Sequence, residues 1–124
     1  MPRTQSRTLT EAELPLMDIL WRQGPATVNG VAEALSKTKP VAYNTVLTML
    51  RILERKGYVR HTKDGRAFVY QTVVDRGQAS RNAVRQLVTR FFEGSPELLV
   101  LNLLNDEGID EHELDRLRRL TESE

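Results

Sequence analysis

The 124-residue chain contains no cysteine and no long hydrophobic run. The absence of cysteine excludes disulfides, thiolate metal ligands and cysteine nucleophiles, and such a composition fits the reducing cytoplasm. No apolar run approaches the roughly 18 residues that a membrane-spanning helix needs, so we expect no association with a membrane. The first ten residues include two arginines but no apolar stretch, so we expect no secretory signal. These absences predict a cytoplasmic protein.

Sequence patterns typical of enzymes and of cofactor sites are also missing. The chain has no glycine-rich phosphate-binding loop and no local signature of a nucleophile with its base. Its two histidines, His61 and His112, stand at spacings that suggest neither a catalytic group nor a metal site. We therefore predict a protein that is not an enzyme and that needs no cofactor or metal.

The charged residues are distributed unevenly along the chain, although the net charge is only +1. Residues 1–72 hold 11 Lys and Arg against 6 Asp and Glu, which gives them a net charge of +5. The remaining residues carry a net charge of −4. A basic half suits a polyanion as its ligand, whereas an acidic half would repel one.

The first half of the chain begins with three predicted helices. The first helix is expected to start near Thr10, which has capping-box spacing to Glu13, and to end before Gly24. A second, short helix follows Thr27, and a third runs over about residues 42–56. The turn between the second and third helices is short and polar.

A β-hairpin is predicted directly after the third helix. The β-prone runs at residues 58–63 and 67–72 lie on either side of Asp64 and Gly65, a pair that favours a tight hairpin turn. Three helices followed by a hairpin, in this order, predict a winged helix-turn-helix. We assign this domain to residues 1–74.

The rest of the chain, residues 75–124, is predicted to be helical again. One helix is expected over residues 76–93, and a second from Pro96, with Ser95 as its cap, to its end at Gly108. A third helix follows Asp110. The predicted fold class is therefore mainly α with a small β-hairpin wing. It consists of a winged helix-turn-helix and a C-terminal helical dimerisation segment.

The third helix separates into an apolar face and a polar face when successive residues are placed 100° apart. The polar face consists of Asn44, Thr48, Arg51 and Arg55, with Thr45 beside them. Amide, hydroxyl and guanidinium groups are the ones that contact base edges in the major groove of DNA. The alternative is that this is only the solvated face of an amphipathic helix.

Four further cations adjoin the third helix. Lys37 and Lys39 lie in the turn that precedes it, and Lys63 and Arg66 flank the tip of the predicted hairpin. Side chains at these positions can reach phosphates on either side of a groove and fix the register of the protein on the duplex. Together with the polar face, they favour binding to double-stranded DNA.

The C-terminal helices carry more apolar surface than they can bury by themselves. The residues that we assign to a dimer interface are Val84, Leu87, Val88, Phe91, Phe92, Leu98, Leu99, Leu101, Leu103, Leu104 and Leu117. Pairing with the same segment of a second copy would bury them in a two-fold homodimer. The alternative is that these helices fold back onto the N-terminal domain. A dimer would bring two third helices to half-sites about one duplex turn, or a multiple of it, apart.

The order of these segments resembles the penicillinase-repressor family, which includes the repressors of β-lactamase and methicillin-resistance genes. The resemblance covers nearly the whole chain, through LTEAELPLMDILW, VAYNTVLTMLRILERKGYV, GRAFVY and LVLNLL. It implies a homodimeric winged-helix repressor that binds a dyad-symmetric DNA operator and blocks transcription.

The resemblance also implies which residues contact DNA. In this family the base and phosphate contacts come mainly from the third helix, here Tyr43, Asn44, Thr45, Thr48 and Arg51. Two positions of this helix depart from the family pattern. Ile52 stands where relatives commonly have a basic residue, and Asn44 stands where they have threonine or lysine.

The resemblance further suggests how repression ends. In the best-known members, induction involves proteolysis between an asparagine and a phenylalanine of the dimerisation helices. The corresponding pair here is Asn102 and Leu103, which makes an inducing protease a predicted partner. Alternatively, Asn102 is only a surface polar residue or an amide that sets the register of the dimer interface.

A copper-responsive branch that resembles this family has a cysteine-rich C-terminal tail. This chain has no cysteine, which argues against metal sensing.

A winged helix that serves only for contact with another protein is the alternative function. The dependence of duplex binding on salt concentration distinguishes the two functions, because contacts to phosphates weaken steeply as salt rises.

Overall fold

A computed structural model of the chain describes residues 8–106 and 109–122. The elements are α1 (Leu14–Gln23), β1 (Ala26–Thr27), α2 (Val28–Ser36), α3 (Tyr43–Lys56), β2 (Val59–Asp64), β3 (Ala67–Thr72), α4 (Arg76–Phe91), α5 (Pro96–Asp106) and α6 (Glu111–Glu122). The predicted class, mainly α with a small β wing, is confirmed. The chain divides into two compact units, residues 1–83 and 84–124. Within the described ranges, none of the helices combines the length and apolar composition needed to cross a membrane.

The start of α1 is held by the capping box that the sequence predicts. The Thr10 amide donates to Glu13 Oε1 at 2.9 Å, and the Glu13 amide donates to Thr10 Oγ1 at 3.1 Å. The regular helix begins only at Leu14, after a turn over residues 11–13. Proline fits in the first turn of this helix because the amides there have no partner within the helix. At the other end Gly24 adopts φ 86°, and its amide donates to the Leu20 carbonyl at 2.9 Å.

A strand that the sequence analysis did not predict completes the sheet. β1 pairs antiparallel with β3, with Ala26 opposite Tyr70, so the strand order is β1-β3-β2. Thr27 belongs to this strand and also caps α2, because its Oγ1 accepts from the Gly30 amide at 3.0 Å. The predicted hairpin is present as β2 and β3, joined by a turn in which Gly65 has φ 65°.

The core of the first unit lies between its helices and the base of the sheet. Its buried residues are Leu16, Met17, Leu20, Val28, Val31, Val46, Leu50, Leu53, Tyr58, Val59, Tyr70 and Ala79. Three of them, Val46, Leu50 and Leu53, follow one another on a single side of α3, and Met49 packs beside them. Burial of this side leaves the opposite side of α3 in solvent.

A buried ion pair anchors the C-terminal end of α3. Lys56 Nζ lies 2.8 Å from Glu13 Oε1 and donates to the Thr8 carbonyl at 3.2 Å. Only 7% of the Glu13 side chain and 17% of the Lys56 side chain are exposed, and a buried charge is stable only when paired in this way. The carboxylate of Glu13 thus closes the capping box and also holds the end of α3 against the segment before α1.

The first residues of α4 are tied to α1. Trp21 Nε1 donates to the Val74 carbonyl at 2.9 Å, and the Arg76 guanidinium lies over the Trp21 ring, 4.7 Å from its centroid. Arg76 also donates to Asp18, which forms a second ion pair with Arg22 at 3.2 Å. The hydrogen bond from Arg76 lowers the pKa of Asp18 below its ordinary value. These contacts fix how α4 begins within the first unit.

The second unit contains the end of α4 together with α5 and α6. The Leu98 amide donates to Ser95 Oγ at 3.3 Å, which confirms the predicted cap of α5. Asp110 and Glu113 form the reciprocal capping box at the start of α6, with amide-to-carboxylate distances of 3.2 and 2.9 Å. The Asn102–Leu103 bond lies within α5. The predicted end of this helix at Gly108 lies outside the described residues.

Candidate nucleic-acid interface

The solvent-facing side of α3 is the centre of the candidate interface. We call it the reading face, and it consists of Tyr43, Asn44, Thr45, Thr48, Arg51 and Arg55, all of which are exposed. From Asn44 to Arg55 it extends about 16 Å along the helix, at the usual rise of about 1.5 Å per residue. A helix of this size fits the major groove of B-form DNA. Its amide, hydroxyl and guanidinium groups can read base edges there.

The reading face carries no carboxylate in α3, every residue of which the structure describes. The one acidic residue of this helix, Glu54, is half-buried, and its side chain is bound to His61 of β2. Ile52, at the position where the family pattern has a basic residue, is also half-buried. The electrostatic character of the reading face is therefore set by Arg51 and Arg55.

Four exposed cations lie on the segments that adjoin the two ends of α3. Lys37 and Lys39 are in the turn before its N-terminus. Lys63 and Arg66 are at the outer end of the wing, which we define as β2, β3 and the turn between them. Among residues 8–106 and 109–122, no ion pair involves any of these four side chains. Their charges are thus available to a polyanion.

The wing begins immediately after α3 because a single glycine turns the chain. Gly57 has φ 90°, in the left-handed region that favours glycine. The Tyr58 amide then donates to the Leu53 carbonyl at 3.0 Å, and β2 starts at Val59. This tight connection places the wing next to the C-terminal end of the reading face, while the lysine turn adjoins the other end.

The apolar residues assigned to a dimer interface are incompletely covered within one chain. Val84, Leu87, Phe91, Leu98, Leu101 and Leu117 are exposed, with exposed fractions between 40% and 69%. Val88, Phe92, Leu99, Leu103 and Leu104 are half-buried. In α5, Asn102 is exposed beside the half-buried Leu103. None of these interface residues is fully buried, so the second unit presents a large apolar surface.

Three features that position the candidate nucleic-acid interface were missed by the sequence analysis. β1 is only two residues long and gives no alternation pattern. The Glu13–Lys56 and Glu54–His61 pairs join residues of different elements, and a charge pattern within one helix does not reveal such partners. A sign of the second pair was present in the sequence, since Glu54 is the one acidic residue in an otherwise basic α3.

No grouping of three or more potential metal ligands occurs in the part of the chain that the structure describes.

Comparison with solved structures identifies the class of protein. The solution structure of the DNA-binding domain of the repressor BlaI is 34% identical, with a TM-score of 0.54, and the match covers 61% of this chain and 93% of that one. Monomeric BlaI of Bacillus licheniformis in complex with the blaP half-operator is 35% identical, with a TM-score of 0.51, and the match covers 60% and 90% of the two chains. The fold is that of winged-helix DNA-binding domains.

Comparison with protein sequences identifies the family. The family model described as Penicillinase repressor matches residues 9–123. The penicillinase repressor of Bacillus licheniformis is 32% identical over 114 residues, which cover 92% of this chain and 89% of that protein. The transcriptional regulator BlaI of Mycobacterium tuberculosis is 36% identical over 113 residues, which cover 90% and 80%. The chain belongs to the penicillinase-repressor family, whose members are transcriptional repressors and not enzymes.

Proposed function

We propose that this chain is a dimeric transcriptional repressor that binds a dyad-symmetric DNA operator through α3 and the wing. The observation that carries the proposal is the exposed reading face, free of carboxylates and flanked at both ends by unpaired cations. A relative with the same fold was solved together with a half-operator. A protein-binding module would have no need for cations on both sides of a polar helix face, so we favour DNA as the ligand. Genomic DNA as the ligand also implies a cytoplasmic location.

Each group of residues has its own role in the proposal. Base contacts are assigned to Tyr43, Asn44, Thr45, Thr48 and Arg51, and phosphate contacts to Lys37, Lys39, Arg55, Lys63 and Arg66. Polar groups of the first set can discriminate between bases, whereas the cations of the second set bind the backbone of any sequence. We infer that residues 1–74 form the DNA-binding domain and residues 75–124 the dimerisation domain.

Salt dependence of duplex binding tests this division of roles. Lys39→Ala and Lys63→Ala are each expected to lower the slope of log affinity against log salt by about 1, because each removes one phosphate contact. Asn44→Ala and Thr48→Ala are expected to change the preferred sequence and to leave that slope unchanged. Fluorescence anisotropy with labelled duplexes at several salt concentrations measures both quantities. Arg118→Ala removes the same charge from α6 and serves as the control.

The outcome separates DNA binding from the alternative function. If the lysine variants and the reading-face variants all bind duplex DNA as the wild type does, the assignment of the interface is wrong. Affinity that does not depend on salt, even for the wild type, would favour a protein partner instead.

Dimerisation is supported by the apolar surface of the second unit. Six of the residues assigned to the dimer interface are at least 40% exposed in the single chain. Contiguous exposed apolar surface of this kind is unusual on a protein that works as a monomer. A two-fold dimer covers the same patch on both copies, and it matches the dyad symmetry of the proposed operator.

We further infer that cleavage between Asn102 and Leu103 relieves repression. This bond lies in the interior of α5, so a protease would have to unwind the helix, and the cut would divide the segment that carries most of the interface leucines. A mass spectrum of the protein after induction of its native host is expected to show fragments that end at Asn102 and begin at Leu103. An intact chain that has nevertheless left its operator would contradict this inference.

A further inference from the structure

A side-chain pair joins α3 directly to the wing. His61 Nδ1 lies 2.7 Å from Glu54 Oε1 and 3.0 Å from Oε2, and the His61 backbone amide donates to Oε2 at 3.2 Å. One carboxylate thus holds both the ring and the main chain of a single β2 residue. A hydrogen bond to an ionised carboxylate is shorter and stronger than one between neutral groups.

The imidazole ring of His61 also contacts side chains of the next strand, β3. Its centroid is 5.0 Å from that of Phe68 and 5.4 Å from that of Tyr70, both in β3. Tyr70 is buried in the core, and its backbone pairs with Ala26 of β1. Burial and the nearby Glu54 carboxylate raise the pKa of the Tyr70 phenol. The Glu54–His61 pair therefore connects α3 to both strands of the wing.

The outer part of β2 is exposed and is not packed into the core. Val59 is buried, but all five of the following residues of β2 are exposed. A two-stranded hairpin is at best marginally stable by itself. Lys63 and Arg66 lie beyond His61 toward the tip, so their position depends on how the hairpin is held below them.

We propose that Glu54 and His61 are positioning residues that fix the position of the wing relative to α3. Their bond holds the hairpin against α3 so that Lys63 and Arg66 meet phosphates while the reading face occupies the groove. This inference rests on the proposed function and assigns a role in it to two residues that touch no base. It also accounts for an acid within a DNA-reading helix, because the charge of Glu54 is committed to His61 and not presented to the duplex.

The test measures whether the phosphate contact of the wing depends on Glu54. In the wild-type background, Arg66→Ala is expected to lower the slope of log affinity against log salt by about 1. In a Glu54→Ala background the same substitution is expected to lower it by less than half as much, since the wing tip is no longer held in place. Comparing slopes within each background cancels the direct effect of removing the Glu54 charge.

Two controls separate positioning from a general loss of structure. Lys39→Ala, at the other end of α3, is expected to lower the slope by about 1 in both backgrounds. Glu54→Gln keeps one accepting oxygen but loses the other oxygen and the charge, so its Arg66 effect is expected to lie between those of the wild type and Glu54→Ala. His61→Phe keeps an aromatic ring against Phe68 and Tyr70 but removes the bond from the ring to Glu54, leaving only the backbone bond, so it is expected to weaken the Arg66 effect in the same direction as Glu54→Ala. It also replaces that variant if Glu54→Ala does not fold.

Each outcome decides one question. A full effect of Arg66→Ala in both backgrounds overturns the positioning role and leaves the proposed function intact. Loss of the Lys39 effect together with the Arg66 effect overturns it too, because Glu54 would then act on the whole domain. If neither Lys39→Ala nor Arg66→Ala changes the slope in the wild-type background, the proposed DNA-binding function fails first.

Discussion

Leu87→Glu is expected to convert the proposed dimer into monomers. Leu87 is 40% exposed in the single chain and is one of the apolar residues of α4 that we assign to the dimer interface. In a two-fold interface the substitution buries two unpaired carboxylates, each at a cost of about 3 kcal/mol. The dimer dissociation constant is therefore expected to rise on the order of ten-thousandfold, which is the equivalent of about 6 kcal/mol. Sedimentation equilibrium over a range of concentrations measures this constant.

Thr89→Glu is the matched control for Leu87→Glu. Thr89 lies two residues further along the same helix, is exposed, and points away from the apolar stripe, so it receives the same charge outside the assigned interface. This variant is expected to remain dimeric. A dimer that survives Leu87→Glu would show that Leu87 is outside the interface. A wild type that is monomeric at high concentration would rule out the dimeric part of the proposal.

Arg51→Ala is expected to give the largest loss of operator affinity among single substitutions of the reading face. Arg51 is exposed near the middle of that face, where its guanidinium can bond two acceptors of a guanine. A base contact of this kind contributes about 1–3 kcal/mol, and a dimer makes it at both half-sites. We therefore expect a loss of at least about thirtyfold, with relaxed preference at one base pair of each half-site. Duplexes selected from a random pool supply the operator for this measurement.

Arg116→Ala provides the control for the loss of positive charge. Arg116 lies on α6, in the second unit, and its removal changes the net charge of the protein by the same amount. Its operator affinity is expected to stay within about twofold of the wild type, since Arg116 is not among the residues that we assign to base or phosphate contacts. An equal loss on operator and on unrelated sequences would make Arg51 a phosphate contact instead. No loss on either would exclude Arg51 from the interface.

Most elements of this fold were predictable because their signals are local. The capping boxes at Thr10 and Asp110 act over three residues, so a short stretch of sequence contains both partners. The division of α3 into a buried and an exposed side follows from its own periodicity, and Val46, Leu50 and Leu53 form the buried side. The hairpin turn likewise depends on a few adjacent residues around Gly65.

The sequence by itself therefore determined the helices, the hairpin, the chemistry of the reading face and the membership of a repressor family. Only the tertiary structure decided how these parts are held together. β1 exists because β3 offers it hydrogen-bonding partners more than forty residues away, at Val69 and Tyr70. Glu13 reaches Lys56 across a sequence separation of 43 residues. Which distant residues become partners depends on the packing of the folded core, because that packing sets the distance between them and excludes water from between them. The sequence around each residue therefore does not show which distant residue it contacts.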